Sequence, residues 1–396
     1  MLISDRRGKA LVAIPAALAV ISLAACSSSL SSDGGGDSSE GPVKIGLSVP
    51  LSGVYASLGE DMKQGFDLYL EQNDQQLGGR EVDLVSADEG ETPQTGVPAT
   101  TKLVTQGKVS AVVGIVNSAT ALGLRDAFIQ SKVPLIIANA GADGATSPVS
   151  PYVWRTSFTN GGVGEALGAE VADEVGSDEV YLMGADYAAG KESLGGFKSS
   201  FEEAGGKIAG ETYTPFGKTS DFQPYLSKIR QSGAKAVYVF YAGAEAVNFV
   251  KQFKSFGLSK DIQLYGAGFL TEGGALEAQG AAAEGTRTSL HYSDQLDSER
   301  NRQFVAAYQA AYQEAPTVYA VQAYDAAAAL DKALDQAEGS GGEDIAKALS
   351  DVGEIDSPRG AWSFDETNSP AQTYYLREVK TADGKLVNAI LKPLNQ

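Results

Sequence analysis

Apolar side chains occupy every second position of Val43-Lys44-Ile45-Gly46-Leu47-Ser48-Val49, the pattern of a strand, and Pro50-Leu51-Ser52-Gly53 ends it. Met62, Phe66 and Leu70 follow at i, i+4, i+8, one face of a helix. Residues 82–87 read as a second strand, and Ala99, Leu103 and Val104 mark the next helix. Residues 111–116 form a third strand, 122–128 a helix and 133–138 a fourth strand. Strand alternating with helix at this spacing predicts βαβ units and a parallel sheet. The pattern restarts after residue 160, with strands at 180–184, 236–241 and 262–266, a helix near Phe197 and Phe201, and another through Val247, Val250 and Phe253. Two such sheets in one chain predict two α/β lobes. Helices at 304–312 and 324–337 are expected to return to the first lobe. Strands Trp362-Ser363-Phe364 and Tyr374-Tyr375-Leu376 are expected to close the second. Only architecture repeats; no sequence unit of 20 to 50 residues recurs.

The N-terminus breaks from this alternation. Arg6, Arg7 and Lys9 precede an apolar stretch at 10–23 that Pro15 interrupts and that is too short to anchor in a bilayer, the profile of a secretory leader over residues 1–25. It ends in Leu23-Ala24-Ala25-Cys26, small residues before the only cysteine of the chain. This order resembles a bacterial lipobox, which implies cleavage before Cys26, lipidation there, and membrane attachment by the lipid anchor alone; a short membrane anchor is the other reading. Residues 26–42 are rich in Ser, Gly, Asp and Glu and bury too little apolar surface to offset ordering, so they read as a flexible tether. A single cysteine excludes an internal disulfide, so the fold rests on its core.

About 355 residues follow the tether, enough for two domains of ordinary size. The formal charge is −19, and −21 once residues 1–25 are removed with their three cations and one anion. So acidic a surface disfavours nucleic acid and anionic lipid. The catalytic inventory is thin. The one histidine, His291, lies in Ser289-Leu290-His291-Tyr292-Ser293, a strand or crossover, and reads as a hydrogen-bonded structural residue. With Cys26 given to lipid, no thiol nucleophile or Cys/His zinc site remains. No Gly-x-Ser-x-Gly elbow is present. The stretch from Gly184 to Lys191 fails as a phosphate loop, because five residues separate its glycines and Glu192 stands where a Ser or Thr is needed. The pair Asp88-Glu89 reads as a solvated acidic face. These observations predict binding without chemistry, with no metal and no cofactor.

From residue 43 to about 380 the chain resembles the branched-chain amino-acid-binding family of type I periplasmic receptors. Ile45-Gly46-Leu47-Ser48-Val49-Pro50-Leu51-Ser52-Gly53, with Ala56-Ser57-Leu58-Gly59 and Gly65, is similar to that family's opening strand, turn and first helix. Val112-Val113-Gly114-Ile115-Val116-Asn117-Ser118 and Val133-Pro134-Leu135-Ile136-Ile137 resemble its third and fourth strands, and Tyr152-Val153-Trp154-Arg155-Thr156-Ser157 its first crossover between lobes. The resemblance implies an α/β fold of two doubly wound parallel-sheet lobes joined by three crossover strands, 43–158 with 291–357 and 159–290 with 358–396. It implies an extracytoplasmic solute-binding receptor that hands a small-molecule ligand to ABC permease and ATPase subunits. A sensory module and an α/β enzyme are the alternatives from other classes.

Open α/β sheets bind ligands at the carboxyl ends of their strands. That rule places Tyr55, Leu58, Ser118, Ala119, Thr120, Asn139, Ala140 and Gly141 at the cleft from the first lobe. From the second it places Asp186, Tyr187, Tyr241, Gly268 and Phe269 there. The resemblance implies that Ser118, with backbone N–H groups there and around Asn139 to Gly141, holds a ligand carboxylate; capping the following helix is the other role for Ser118. The amino-acid-binding members carry an acid where this chain has Gly268, so an α-amino acid would need Asp186 or Glu272 to balance its ammonium. Tyr55, Tyr187, Tyr241 and Phe269 favour a flat apolar ligand, and the stretch from Phe240 to Phe269 looks like members that bind aromatic acids. An aromatic acid is thus the first expectation and a branched-chain amino acid the second.

Overall fold

The computed structural model describes residues 41–394. The predicted leader, Cys26 and all but the last two residues of the tether lie outside the described residues. The first sheet contains β1 (Val43–Val49), β2 (Gln76–Leu77), β3 (Arg80–Asp88), β4 (Ala111–Gly114), β5 (Leu135–Ile137) and β6 (Val153–Arg155), in the order β2-β3-β1-β4-β5-β6. Every pair is parallel except β2 with β3. β1 lies at its centre, with Ile45 beside Leu84 on one side and Ala111 on the other. Helices cover both faces, so every residue of β1 but Lys44 is buried.

The second sheet contains β7 (Glu179–Ala185), β8 (Lys207–Thr214), β9 (Ala236–Phe240), β10 (Gln263–Ala267), β11 (Arg287–Leu290), β12 (Tyr374–Ala382) and β13 (Lys385–Leu394), in the order β13-β12-β11-β10-β9-β7-β8. It is parallel from β8 to β11, and β12 and β13 add an antiparallel edge. Both lobes are therefore α/β with mixed, mainly parallel sheets, as the sequence predicts.

In the first lobe, α1 (Ala56–Gln72), α2 (Pro93–Lys102) and α3 (Ser118–Ser131) follow β1, β3 and β4. The second lobe carries α4 (Asn160–Val175), α5 (Ala188–Glu203), α6 (Gln223–Ser232), α7 (Gly243–Ser255) and α8 (Gly274–Gln279). The chain then returns through α9 (Glu299–Tyr312), α10 (Val318–Gln336) and α11 (Gly342–Leu349), and α10 packs along α1. A Cβ at Gly65 would stand 2.0 Å from the Ala320 carbonyl oxygen, so this close approach of α1 to α10 requires glycine. Among the described residues no helix is long and apolar enough to cross a membrane.

The chain passes between the sheets three times: after β6, after β11, and on the way from α11 to β12. Buried arginines brace these crossings. Arg155 donates to the Gly141, Ala142 and Phe158 carbonyls at 3.1, 2.9 and 2.7 Å. Arg359, on the third crossing, donates to the Thr156 carbonyl on the first and lies 2.7 Å from Asp325 of α10. Arg377 pairs with Glu272 at 2.9 Å and donates to the Tyr292 carbonyl on the second crossing.

One expected element differs. Trp362 and Phe364 form only isolated bridges, to Ile355 and Pro370, and do not join the second sheet. The Trp362 indole donates to Asp325 of α10, and the Phe364 ring packs against Trp154 of β6. The alternation of Trp, Ser and Phe serves a loop held on the first lobe, and β12 enters the second sheet only at Tyr374.

Candidate ligand cleft

β1, β4 and β5 of the first sheet and β7, β9 and β10 of the second end at one seam between the lobes. A cavity of about 20 Å³ lies there, with lining from both sides. Tyr55, Leu58, Val116, Ser118, Asn139, Gly141 and Tyr319 contribute from the first lobe, Phe158 and Asn160 from the first crossing and the start of α4, and Tyr187, Ala189, Phe240, Ala242 and Phe269 from the second lobe. No charged side chain is in this lining.

The polar groups gather at its ends. Asn117 caps α3, its side chain accepting from the Ala119 and Thr120 N–H groups at 2.9 and 3.1 Å. Asn117 and not Ser118 therefore has the capping role. The Glu89 carboxylate accepts from the Val116 and Asn117 N–H groups at 2.7 and 2.9 Å. Glu89 is fully buried, which corrects its reading as part of a solvated face; burial pushes its carboxyl up to about 8 against those two hydrogen bonds. With its neighbours taken, the Ser118 N–H remains at the helix N-terminus, and the Ser118 hydroxyl accepts from Asn160 Nδ2 at 3.1 Å. The same Asn160 nitrogen donates to Glu192 at 2.8 Å. On β5's far side, Asn139 donates to Gln322 of α10 at 2.8 Å, and the Gln322 amide lies 3.0 Å from His291 Nε2. His291 is buried among rings, and desolvation holds it well below its usual range, hence neutral.

Across the seam, the Tyr55 and Tyr187 hydroxyls share a 2.8 Å hydrogen bond, one tyrosine from each lobe. Phe216 stacks on Tyr187 at 4.2 Å and lies 5.8 Å from Tyr55. Phe269 forms the opposite wall, 4.6 Å from Phe158, 6.1 Å from Phe240 and 6.1 Å from Tyr319. Gly243 closes the seam: its positive φ of 54° suits glycine, and a Cβ there would meet the Val54 carbonyl at 2.2 Å.

The structure thus brings together Tyr55, Leu58, Ser118, Asn139, Gly141, Tyr187 and Phe269 of the expected residues. It places the other six outside the lining. Ala119 and Thr120 belong to the first turn of α3, and Ala140 bonds back to Ile115. Asp186 points to solvent and pairs with Lys191 at 2.8 Å. Tyr241 packs in the second lobe's own core against Phe222 and Phe249, its hydroxyl 3.1 Å from Thr214. Gly268 faces away from the cleft: a Cβ there would lie 2.5 Å from Leu290 Cβ and 2.6 Å from Arg377 Nη2. Neither candidate for an ammonium partner is free, since Asp186 is held by Lys191 and Glu272 by Arg377 and the Val318 N–H. Sequence reasoning missed Asn160, Phe158, Phe240 and Tyr319. Phe158 and Asn160 sit just past the crossover segment, and Phe240 is the last residue of β9, so the rule of strand ends covers all three; Tyr319 lies in the first turn of α10, five residues ahead of the expected helix start.

The periplasmic binding protein family matches residues 42–385. The Leu/Ile/Val-binding protein homolog 6 of Brucella melitensis is 34% identical over 353 residues, covering 86% of this chain and 88% of that protein. A solute-binding protein of an R. palustris ABC transporter, solved in complex with benzoate, is 35% identical with a TM-score of 0.81, covering 90% of this chain and 98% of its own. Another from R. palustris, in complex with 4-hydroxybenzoate, is 30% identical with a TM-score of 0.84, covering 89% and 97%. The chain belongs to the periplasmic binding protein family, as an extracytoplasmic solute-binding receptor of the ABC-transporter kind.

Proposed function

We propose that this receptor captures an aromatic carboxylate between its lobes and delivers it to an ABC permease. The observation that carries this reading is a cleft walled by Tyr55, Tyr187, Phe158, Phe240 and Phe269, with Ser118 at a helix N-terminus and no acidic side chain in the lining. A carboxylate would sit on the Ser118 N–H and hydroxyl, where the α3 dipole favours negative charge. The rings would sandwich a flat apolar body. An α-amino acid would bury its ammonium without a counter-charge, a penalty of several kcal/mol. The R. palustris proteins solved with benzoate and 4-hydroxybenzoate support this choice.

A cavity of about 20 Å³ is roughly the space one water requires. A ring enters only when the lobes hinge apart and the Tyr55–Tyr187 bond opens, so capture means closure around the ligand. A thermal-shift panel of benzoates, branched-chain amino acids and aliphatic acids tests the reading: benzoates should raise the melting temperature most, because a ligand that binds only the folded state stabilises it. A shift with leucine or isoleucine and none with any benzoate would refute it. The anchor belongs to the same proposal. Cys26 tethers the receptor through lipid, and Cys26→Ala should abolish metabolic labelling with a fatty acid and free the protein from membranes; a labelled, membrane-bound variant would refute the assignment.

A further inference from the structure

We infer that Tyr319 reads a hydroxyl on the ligand's ring, so that the receptor prefers ring-hydroxylated benzoates to benzoate itself. This rests on the aromatic-carboxylate reading above and deepens it. Tyr319 lines the cleft, is 1% exposed, and its hydroxyl has no hydrogen-bond partner among the described residues. Its aromatic neighbours in the cleft are otherwise engaged: the Tyr55 and Tyr187 hydroxyls hold each other. A buried hydroxyl with no partner is costly, and a ligand group that satisfies it recovers that cost as affinity.

Charge decides which end of the ligand comes to Tyr319. Burial first, and then Glu272 and Asp61, keep its phenol protonated, with Arg377 opposing them. A carboxylate placed there would need a free cation, and Arg377 is already held by Glu272. A neutral hydroxyl needs none, and it can both accept from and donate to a phenol. The carboxylate belongs instead at Ser118, on the positive end of α3. The ligand is therefore held by its two ends: an anion in the α3 turn and a hydroxyl at the first turn of α10.

Calorimetric titration of wild type and Tyr319→Phe with benzoate, 3-hydroxybenzoate and 4-hydroxybenzoate tests this. The wild type should bind at least one hydroxybenzoate roughly ten-fold more tightly than benzoate. Tyr319→Phe should lose that margin while binding benzoate at least as well as wild type. Because the hydroxyl has no partner among the described residues, the free variant should melt no lower than wild type, which separates lost recognition from lost folding. Equal affinity of the wild type for benzoate and both hydroxybenzoates would overturn the inference while leaving the aromatic-acid reading intact. So would a loss of benzoate binding in a normally folded Tyr319→Phe, since the phenol would then hold the carboxylate. No binding of any of the three acids by wild type would overturn both.

Discussion

Arg377 and Glu272 lie 2.9 Å apart and almost out of contact with solvent, and the arginine also donates to the Gly268 and Tyr292 carbonyls. Burial already pushes the Glu272 carboxyl up, and the arginine is the chief opposing cause. Arg377→Met should therefore cost about 3 to 5 kcal/mol in urea unfolding, because it leaves a buried carboxylate without its partner. Adding Glu272→Gln should restore part of that loss. A double variant less stable than Arg377→Met alone would show that the pair is not coupled. The same pair explains why the ligand's chemistry was only partly legible. Ser118, Asn139 and Gly141 follow strands whose pattern is plain, so the rule of strand ends locates them. Whether Glu272 is free depends on Arg377, more than a hundred positions away, and no local pattern shows such a contact. Glu89 teaches the same lesson: beside Asp88 it looks solvated, yet it is buried against the backbone of the β4–α3 turn.

At the scale of elements, the buried central strands were the legible part, since β1, β4, β7, β9 and β10 each carry a clear apolar run. β8 was not, because Lys207–Thr214 is a sheet edge with few buried side chains. α4 was hidden by its glycines, which count against a helix by propensity. Those glycines serve packing: a Cβ at Gly164 would stand 2.1 Å from the Ser193 carbonyl oxygen of α5. The contact between α1 and the start of α10 also sets a dependence on pH. Asp61 of α1 accepts from the Thr317 hydroxyl at 2.9 Å, and desolvation pushes its carboxyl from 3.8 up to about 7. Between those values the folded protein keeps a proton that the unfolded chain has released, so stability falls as pH rises through the window. Glu89 adds a fall in the same direction, up to about 8. The melting temperature should be higher at pH 5 than at pH 8, and Asp61→Asn should reduce the difference. An identical pH profile for wild type and Asp61→Asn would contradict this assignment.

For the whole molecule, three braced crossings hold two α/β lobes over a seam of aromatic rings. The α/β alternation, the restart after residue 160 and the return of the last helices to the first lobe were all legible, because each is written in local periodicity. The meeting of Tyr55 with Tyr187 was legible only as two residues at strand ends; their hydrogen bond belongs to the packing of one lobe on the other. The proposed function requires that this seam take an aromatic anion by its carboxylate at Ser118. Calorimetric titration of wild type and Ser118→Ala with 4-hydroxybenzoate, and of wild type with leucine, measures this directly. One site for 4-hydroxybenzoate, affinity weakened by about 1 to 3 kcal/mol in Ser118→Ala, and no measurable heat with leucine are expected. Leucine bound more tightly than 4-hydroxybenzoate, or Ser118→Ala binding the aromatic acid as wild type does, would contradict the proposed function.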